Sequence, residues 1–147
     1  MTELNTLQLL SNVPIFSELS QSELRSITRL MTSTNIKEGR SLTKQGQVGR
    51  EFIIILKGEA SVVQNFRTVA TLRPGDFFGE RSVLTGEPRS ATVTAETDML
   101  VEVLTRRELL ALLDDKPVVA KKMLIGVVRR YQGLLTSLQN ITQSPVS

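Results

Sequence analysis

Apolar positions along the 147-residue chain change their period twice. From Leu4 to about Met31 they recur at helical spacing. Leu7, Leu10 and Val13 share one side, and after the loop PIFSELS a second segment opens at Ser20, followed by Leu24, Ile27, Leu30 and Met31. Ser20 and Glu23 make an S-x-x-E capping box, in which each side chain satisfies the other residue's amide at a helix start. The pattern predicts two short helices. From about Ile36 to Leu104 the period shortens to β-branched runs: FIIIL (Phe52 to Leu56), ASVV (Ala60 to Val63), TVATL (Thr68 to Leu72), ATVTA (Ala91 to Ala95) and LVEVL (Leu100 to Leu104). Turns at Gly39, Gly46, Gly49, Gly58, Asn65 and Gly75 separate them. Many short strands of this kind predict a barrel or jelly roll, because closure hides the edges a small open sheet would expose.

The final part is helical again. Thr105 and Glu108 in TRRE form a second capping box, opening a helix through LLALLDD. Lys116 and Pro117 mark a break, since proline suits the first turn of a new helix and cannot extend an old one. One long helix is predicted from Val118 to about Gln139. Leu124, Val127, Tyr131, Leu134 and Leu138 form a stripe at 3-4-3-4 spacing, fit either to pair with a second copy or to pack back onto the same chain. The expected architecture is α+β, mainly β, in one domain over residues 1–147. It comprises an N-terminal helical bundle (1–35), an antiparallel, jelly-roll-like β-roll (36–104), two C-terminal helices (105–140), the last one long, and a frayed tail (141–147).

Composition narrows the chemistry. The content is 40% hydrophobic and 22% charged, as in an ordinary globule, and no apolar run approaches the roughly 18 residues of a membrane span. The amino end, MTELNTLQLLSNVPIF, is amphipathic, unlike a secretory signal. The chain has no cysteine, hence no disulfide framework or thiolate chemistry, which agrees with a cytoplasmic location. A net charge of +3 is too small to argue for nucleic acid. With no histidine there is no Ser-His-Asp site and no imidazole metal centre, so no enzyme and no metal are expected.

The stretch PGDFFGERSVLTGEPRSATV, Pro74 to Val93, interrupts the strands. Gly79 permits close backbone approach, and Gly79 to Leu84 reads as a short helix. Ser82 and its neighbours present amide N–H groups to an anion, with the small Ser90 and Ala91 leaving room for it. Arg89 adds a guanidinium fork suited to two phosphate oxygens, delivered by a loop that Pro88 restrains. Glu80 beside a phosphate suits a hydroxyl, as when a carboxylate accepts from a ribose. A phosphate and a ribose together suggest a nucleotide.

The segment F-G-E-x-x-x-L-x-x-x-P-R-S-A-T (Phe78, Gly79, Glu80, Leu84, Pro88, Arg89, Ser90, Ala91, Thr92) resembles the phosphate-binding cassette of cyclic nucleotide-binding domains. These are the modules of protein kinase A regulatory subunits, nucleotide-gated channels and the catabolite activator protein. The resemblance extends to KEGRSLTKQGQVGREFIIILKGEASVV and to the order of elements. It sets the cassette at 78–92 and makes 105–140 a hinge and a lid. It implies that Glu80 accepts the ribose 2′-hydroxyl and that Arg89 pairs with the equatorial phosphate oxygen. Gly79, Ser82 and Ala91 would give main-chain contacts, and Ser90 would reach the phosphate or the base. Val83 and Leu84 would touch the hinge near Leu109 to Leu113. The implied ligand is cAMP, with cGMP second, acting as a switch for an effector protein that the sequence does not identify.

Three features depart from the family pattern. Arg81 stands where many relatives are apolar, and either faces solvent or touches the ligand. Tyr131 is the one tyrosine available as a lid residue stacked on the base, but its stripe position favours a core role. No helix-turn-helix or other DNA-binding motif, and no membrane segment, follows the last helix. The rival readings are a surface Glu80–Arg89 ion pair, and a degenerate fold that mediates protein interaction or dimerisation. Thr85 and Glu87 read as solvated loop residues, and Lys121, Lys122, Arg129 and Arg130 as a solvated helix face.

Overall fold

A computed structural model of the chain describes residues 2–142. The chain divides into two compact units, Ser26–Asp115 and Met1–Arg25 with Lys116–Ser147.

The first unit is the β-roll. Eight strands, β1 (Thr32–Ile36), β2 (Ser41–Thr43), β3 (Glu51–Lys57), β4 (Ala60–Gln64), β5 (Arg67–Leu72), β6 (Phe77–Phe78), β7 (Thr92–Ala95) and β8 (Met99–Thr105), form two antiparallel sheets. Their orders are β1-β8-β3-β6 and β2-β7-β4-β5. Alternation sends Ile53 and Ile55 of β3 and Met99 and Val101 of β8 into one core with Ala60, Val93 and Ala95 from the other sheet. All seven are at most 3% exposed, so the core lies between the sheets. Ile53 pairs with Val103 on one side and with Phe78 on the other, which sets the start of the cassette against a strand with four consecutive buried residues.

The five runs predicted as strands are strands. Three more were not predicted. The β region begins at Thr32 rather than near Ile36, because polar TSTNI pairs with β8 along an edge and alternates only weakly. Ser41–Thr43 and Phe77–Phe78 are too short to carry a period. At the β4–β5 hairpin Asn65 and Phe66 both adopt positive φ, as a type I′ turn requires. Two helices lie wholly within the unit: α3 (Glu80–Thr85), inside the cassette, and α4 (Arg106–Asp115). The second capping box forms as predicted, with the Thr105 hydroxyl donating to Glu108 Oε1 at 2.7 Å and the Glu108 amide donating to Thr105 Oγ1 at 3.2 Å.

The other unit holds α1 (Thr2–Ser11), the start of α2 (Gln21–Leu30) and α5 (Pro117–Thr142). The loop PIFSELS contains a 3-10 turn at Pro14–Phe16 that buries Ile15 and Phe16 and packs against α5. Leu7, Leu10 and Val13 are buried, as their spacing predicted. The Ser20 amide donates to Glu23 Oε1 at 2.7 Å and the Glu23 amide to Ser20 Oγ at 3.2 Å, which is the first capping box. Two of the basic residues on the predicted solvated face also form ion pairs: half-buried Lys122 with Glu23 at 2.8 Å, and Arg129, which stays exposed, with Glu18 at 2.7 Å. Helix α5 continues through Ile141 and Thr142, beyond the predicted end near Gln139, and the rest of the predicted tail, 143–147, lies outside the described residues. Its stripe is open: Leu124, Val127, Tyr131, Leu134 and Leu138 are 41% to 63% exposed. Within its own unit nothing packs over the stripe, so a core role for Tyr131 there is corrected. Among the described residues, no helix is long and apolar enough to cross a membrane.

Candidate functional site

The cassette is built from its glycine outward. β6 pairs with β3 and ends at Phe78, and Gly79 then turns the chain into α3 with φ +88°, in the left-handed region. A β-carbon there would strike the Glu51 carbonyl oxygen and lie 2.8 Å from Arg89 Nη1. Only glycine admits both the turn and the guanidinium. At its far end α3 closes on Gly86, whose amide donates to the Ser82 carbonyl at 2.8 Å. The TGEP turn that follows is more ordered than its composition suggests. Thr85 Oγ1 donates to the Arg81 carbonyl at 3.0 Å and accepts from the Glu87 amide at 3.2 Å.

Arg89 is the centre of the site. Its main chain is clamped, the amide donating to the Gln47 carbonyl at 2.8 Å and its carbonyl accepting from the Gly46 amide at 2.9 Å. Pro88 bridges to Val48 beside it. The residue is 8% exposed, and Nη2 donates to the Glu51 main-chain carbonyl at 2.9 Å. That depth removes the surface ion-pair reading. Burial pulls the guanidinium pKa below its usual value, and the nearby Glu51 carboxylate opposes the shift. A guanidinium has five N–H donors, so this buried cation is equipped for an anion with several acceptors.

Sequence reading missed two contributors. Its place in the sequence makes Gly49 a turn glycine, yet its φ is ordinary, and a β-carbon on it would lie 2.5 Å from both Arg89 Nε and Ser82 Oγ. It is a clearance position. Glu51 acts through its carbonyl, which any residue type would supply, so no side-chain signal marked it.

The residues Gly79, Glu80, Arg81, Ser82, Arg89, Ser90 and Ala91, predicted from sequence, all line one pocket of about 400 Å³. Val62, Leu72 and Val93 give it an apolar wall. Within it Ser82 and Arg89 are buried, Gly79, Glu80 and Ala91 half-buried, and Ser90 exposed. Arg81 sits on the rim, 3.9 Å from Glu87, with both side chains mostly in solvent. An exposed pair of this length contributes little to stability. Tyr131 belongs to the other unit, on α5, and is 59% exposed. The predicted contact of the cassette with the hinge has a specific form. Helix α3 packs against α4, and Arg106 Nε, at the first residue of α4, donates to the Leu84 carbonyl at 3.2 Å. Val83 and Leu109 are fully buried.

Residues 33–116, more than half of the chain, match the family described as "Cyclic nucleotide-binding domain". Among known proteins, the chain is 41% identical over 103 residues to a cGMP-dependent protein kinase of Toxoplasma gondii, covering 70% of this chain and 10% of that protein. It is 38% identical over 97 residues to a cAMP-dependent protein kinase regulatory subunit of Yarrowia lipolytica, covering 65% and 26% respectively. The chain thus spans about a quarter or less of the length of these two curated relatives. The solved regulatory domain of Toxoplasma gondii PKA with cAMP superposes with a TM-score of 0.68 at 26% identity, over 75% of this chain and 44% of that one. A pocket with a buried arginine and a glycine-led helix, on a two-sheet roll that the family match spans, leads to one conclusion: the chain belongs to the cyclic nucleotide-binding domain family.

Proposed function

We propose that the cassette pocket binds cAMP in preference to cGMP and that the chain is a ligand-sensing regulatory module without turnover. The observation that carries this reading is the buried Arg89 guanidinium, held between Gly49 and Gly79 on the wall of a pocket that also presents Glu80 and Ser82. Burying a charge is costly unless it is paired, and the phosphate of a cyclic nucleotide supplies the pairing. In this reading Arg89 takes the equatorial phosphate oxygen and Glu80 accepts the 2′-hydroxyl. Gly79, Ser82 and Ala91 contribute main-chain contacts, and Ser90 reaches the phosphate or the base. Arg81, paired with Glu87 on the rim, stays at the pocket mouth. The Toxoplasma regulatory domain solved with cAMP supports a cyclic nucleotide as the ligand.

Ligand then acts by favouring one arrangement of the cassette over another. Because the Leu84 carbonyl at the end of α3 accepts from Arg106, a shift of α3 is passed to α4, and movement of the C-terminal helices is the proposed signal. The open stripe of α5, with heptad spacing, gives the response a surface to act through, and a second copy of the chain is its proposed partner. Calorimetric titration with cAMP and cGMP tests the reading. Saturable binding at micromolar or tighter dissociation constant, stronger for cAMP and without AMP production, is expected. Folded protein that gives no heat with either nucleotide sinks it in favour of an interaction module, and AMP production makes it an enzyme.

A further inference from the structure

A second cavity, of about 1040 Å³, lies wholly within the β-roll unit and meets the cassette pocket only at Thr43 and Arg89. One wall is α4, where Arg107, Leu110, Ala111 and Asp114 fall at i, i+3, i+4 and i+7 and so share a face. The facing wall comes from β2 and the segment leading into β3, with Lys44, Val48 and Arg50. Five basic residues thus line the groove: Lys44, Arg50, Arg89, Arg106 and Arg107. Glu51 and Asp114 are the acidic residues that line it. Among the described residues, none of Lys44, Arg50 and Arg107 has a carboxylate within ion-pairing distance. Val48 is 58% exposed between them, and Leu42 and Leu110 are half-buried.

We propose that this groove docks an acidic, apolar-anchored peptide segment of a partner protein, and that the cassette controls its occupancy. Charge complementarity selects an acidic partner, and the apolar floor offers its side chains something to bury against. The distribution argues for a segment and against a small anion. The three exposed cations stand apart around an open groove, and Arg106 already spends its Nε on the Leu84 carbonyl. The two carboxylates in the lining disfavour the uniform negative charge of a nucleic acid backbone. Control follows from shared parts: Arg89 lines both cavities, and Arg106 joins the groove wall to the end of α3. This control rests on the cassette reading above, whereas the docking does not.

The test uses the full chain and fluorescence anisotropy with two labelled probes, a peptide of alternating glutamate and leucine and a single-stranded oligonucleotide. Two charge-reversal doubles are compared: Arg50→Glu with Arg107→Glu in the groove, and Lys121→Glu with Arg130→Glu on α5. The peptide is expected to bind, to lose at least tenfold affinity in the groove double and to keep its affinity in the α5 double. Its affinity should change severalfold when cAMP is added. Calorimetry with cAMP on the groove double should still show binding, which establishes that the domain is folded. No binding of the peptide to the wild-type chain, or equal loss in both doubles, overturns the proposal. Tighter binding of the oligonucleotide, abolished by the groove double, replaces it with a nucleic-acid surface. If peptide binds while cAMP gives no heat, the docking stands and its control by the nucleotide falls.

Discussion

Arg89 and Glu51 are joined by a side-chain to main-chain bond, Nη2 to the Glu51 carbonyl oxygen at 2.9 Å. The guanidinium is thereby aimed by β3, a strand whose central four residues are all buried, rather than by the loop that carries it. A lysine has a single nitrogen at its tip and cannot hold that carbonyl and two phosphate oxygens in one plane. Arg89→Lys is therefore expected to retain the fold and lose most of the affinity. Arg89→Ala should lose about 2–5 kcal/mol of binding, the range for truncating one partner of a buried charge pair. Calorimetry with cAMP measures both, and affinity retained by Arg89→Ala would refute the role.

Glu80 is assigned to the ribose, so its contribution should disappear with the hydroxyl. Wild-type protein is expected to bind 2′-deoxy-cAMP more weakly than cAMP by about 1.5–3 kcal/mol, as for a hydrogen bond to a charged group. Glu80→Ala should bind the two ligands nearly equally. If the variant still discriminates, the 2′-hydroxyl is read elsewhere.

Gly79 and Gly49 clear space for the same guanidinium by different means. Gly79→Ala adds backbone strain at φ +88° to a collision with the Glu51 carbonyl, and a stability loss of at least about 1–3 kcal/mol is expected in urea denaturation. Gly49→Ala has no such strain and meets the side-chain atoms Arg89 Nε and Ser82 Oγ. It also meets Ser82 Cβ at 2.7 Å, which moves only with the main chain of α3, so the collision displaces the cassette itself. Gly49→Ala should therefore both lower the urea midpoint and weaken cAMP binding, and binding kept at the wild-type level would show that the clearance serves packing alone.

Glu23 carries a depressed pKa, first because Lys122 bonds its carboxylate and then because of the Ser20 amide. A carboxylate held below its usual value stabilises the fold above the unfolded pKa, near 4.5, and loses that contribution as pH falls through the folded value. Glu23→Gln keeps an acceptor for Ser20 and removes the charge. The melting-temperature gap between wild type and Glu23→Gln should be full at pH 7 and close as pH drops below about 4.5. A gap that does not change with pH would assign the effect to packing.

Helix α5 exposes Leu134 at 53% and Leu138 at 60% on one stripe. Sedimentation velocity is expected to show a dimer that dissociates in Leu134→Asp with Leu138→Asp, with helical content retained in circular dichroism at high protein concentration. A wild-type chain that stays monomeric at every concentration would assign the stripe to another partner.

What the sequence by itself determined was local: the two capping boxes, the strand runs with strong β-branched character, and the cassette, whose residue types are few and closely spaced. Each depends on neighbours within a few positions, where spacing and side-chain chemistry are readable directly. The two-residue strand at Phe77, the polar edge strand at Thr32 and the 3-10 turn at Pro14 had no period to read, and only pairing or packing defines them. Tertiary structure also decided the jobs of Gly49 and Glu51, which lie about 40 positions before Arg89 and meet it through a backbone carbonyl and an absent β-carbon. Neither feature has a side-chain signature. Arg81 shows the same limit from the other side: its charge was legible, but its place on the pocket rim beside Glu87 followed only from the turn that Gly86 closes.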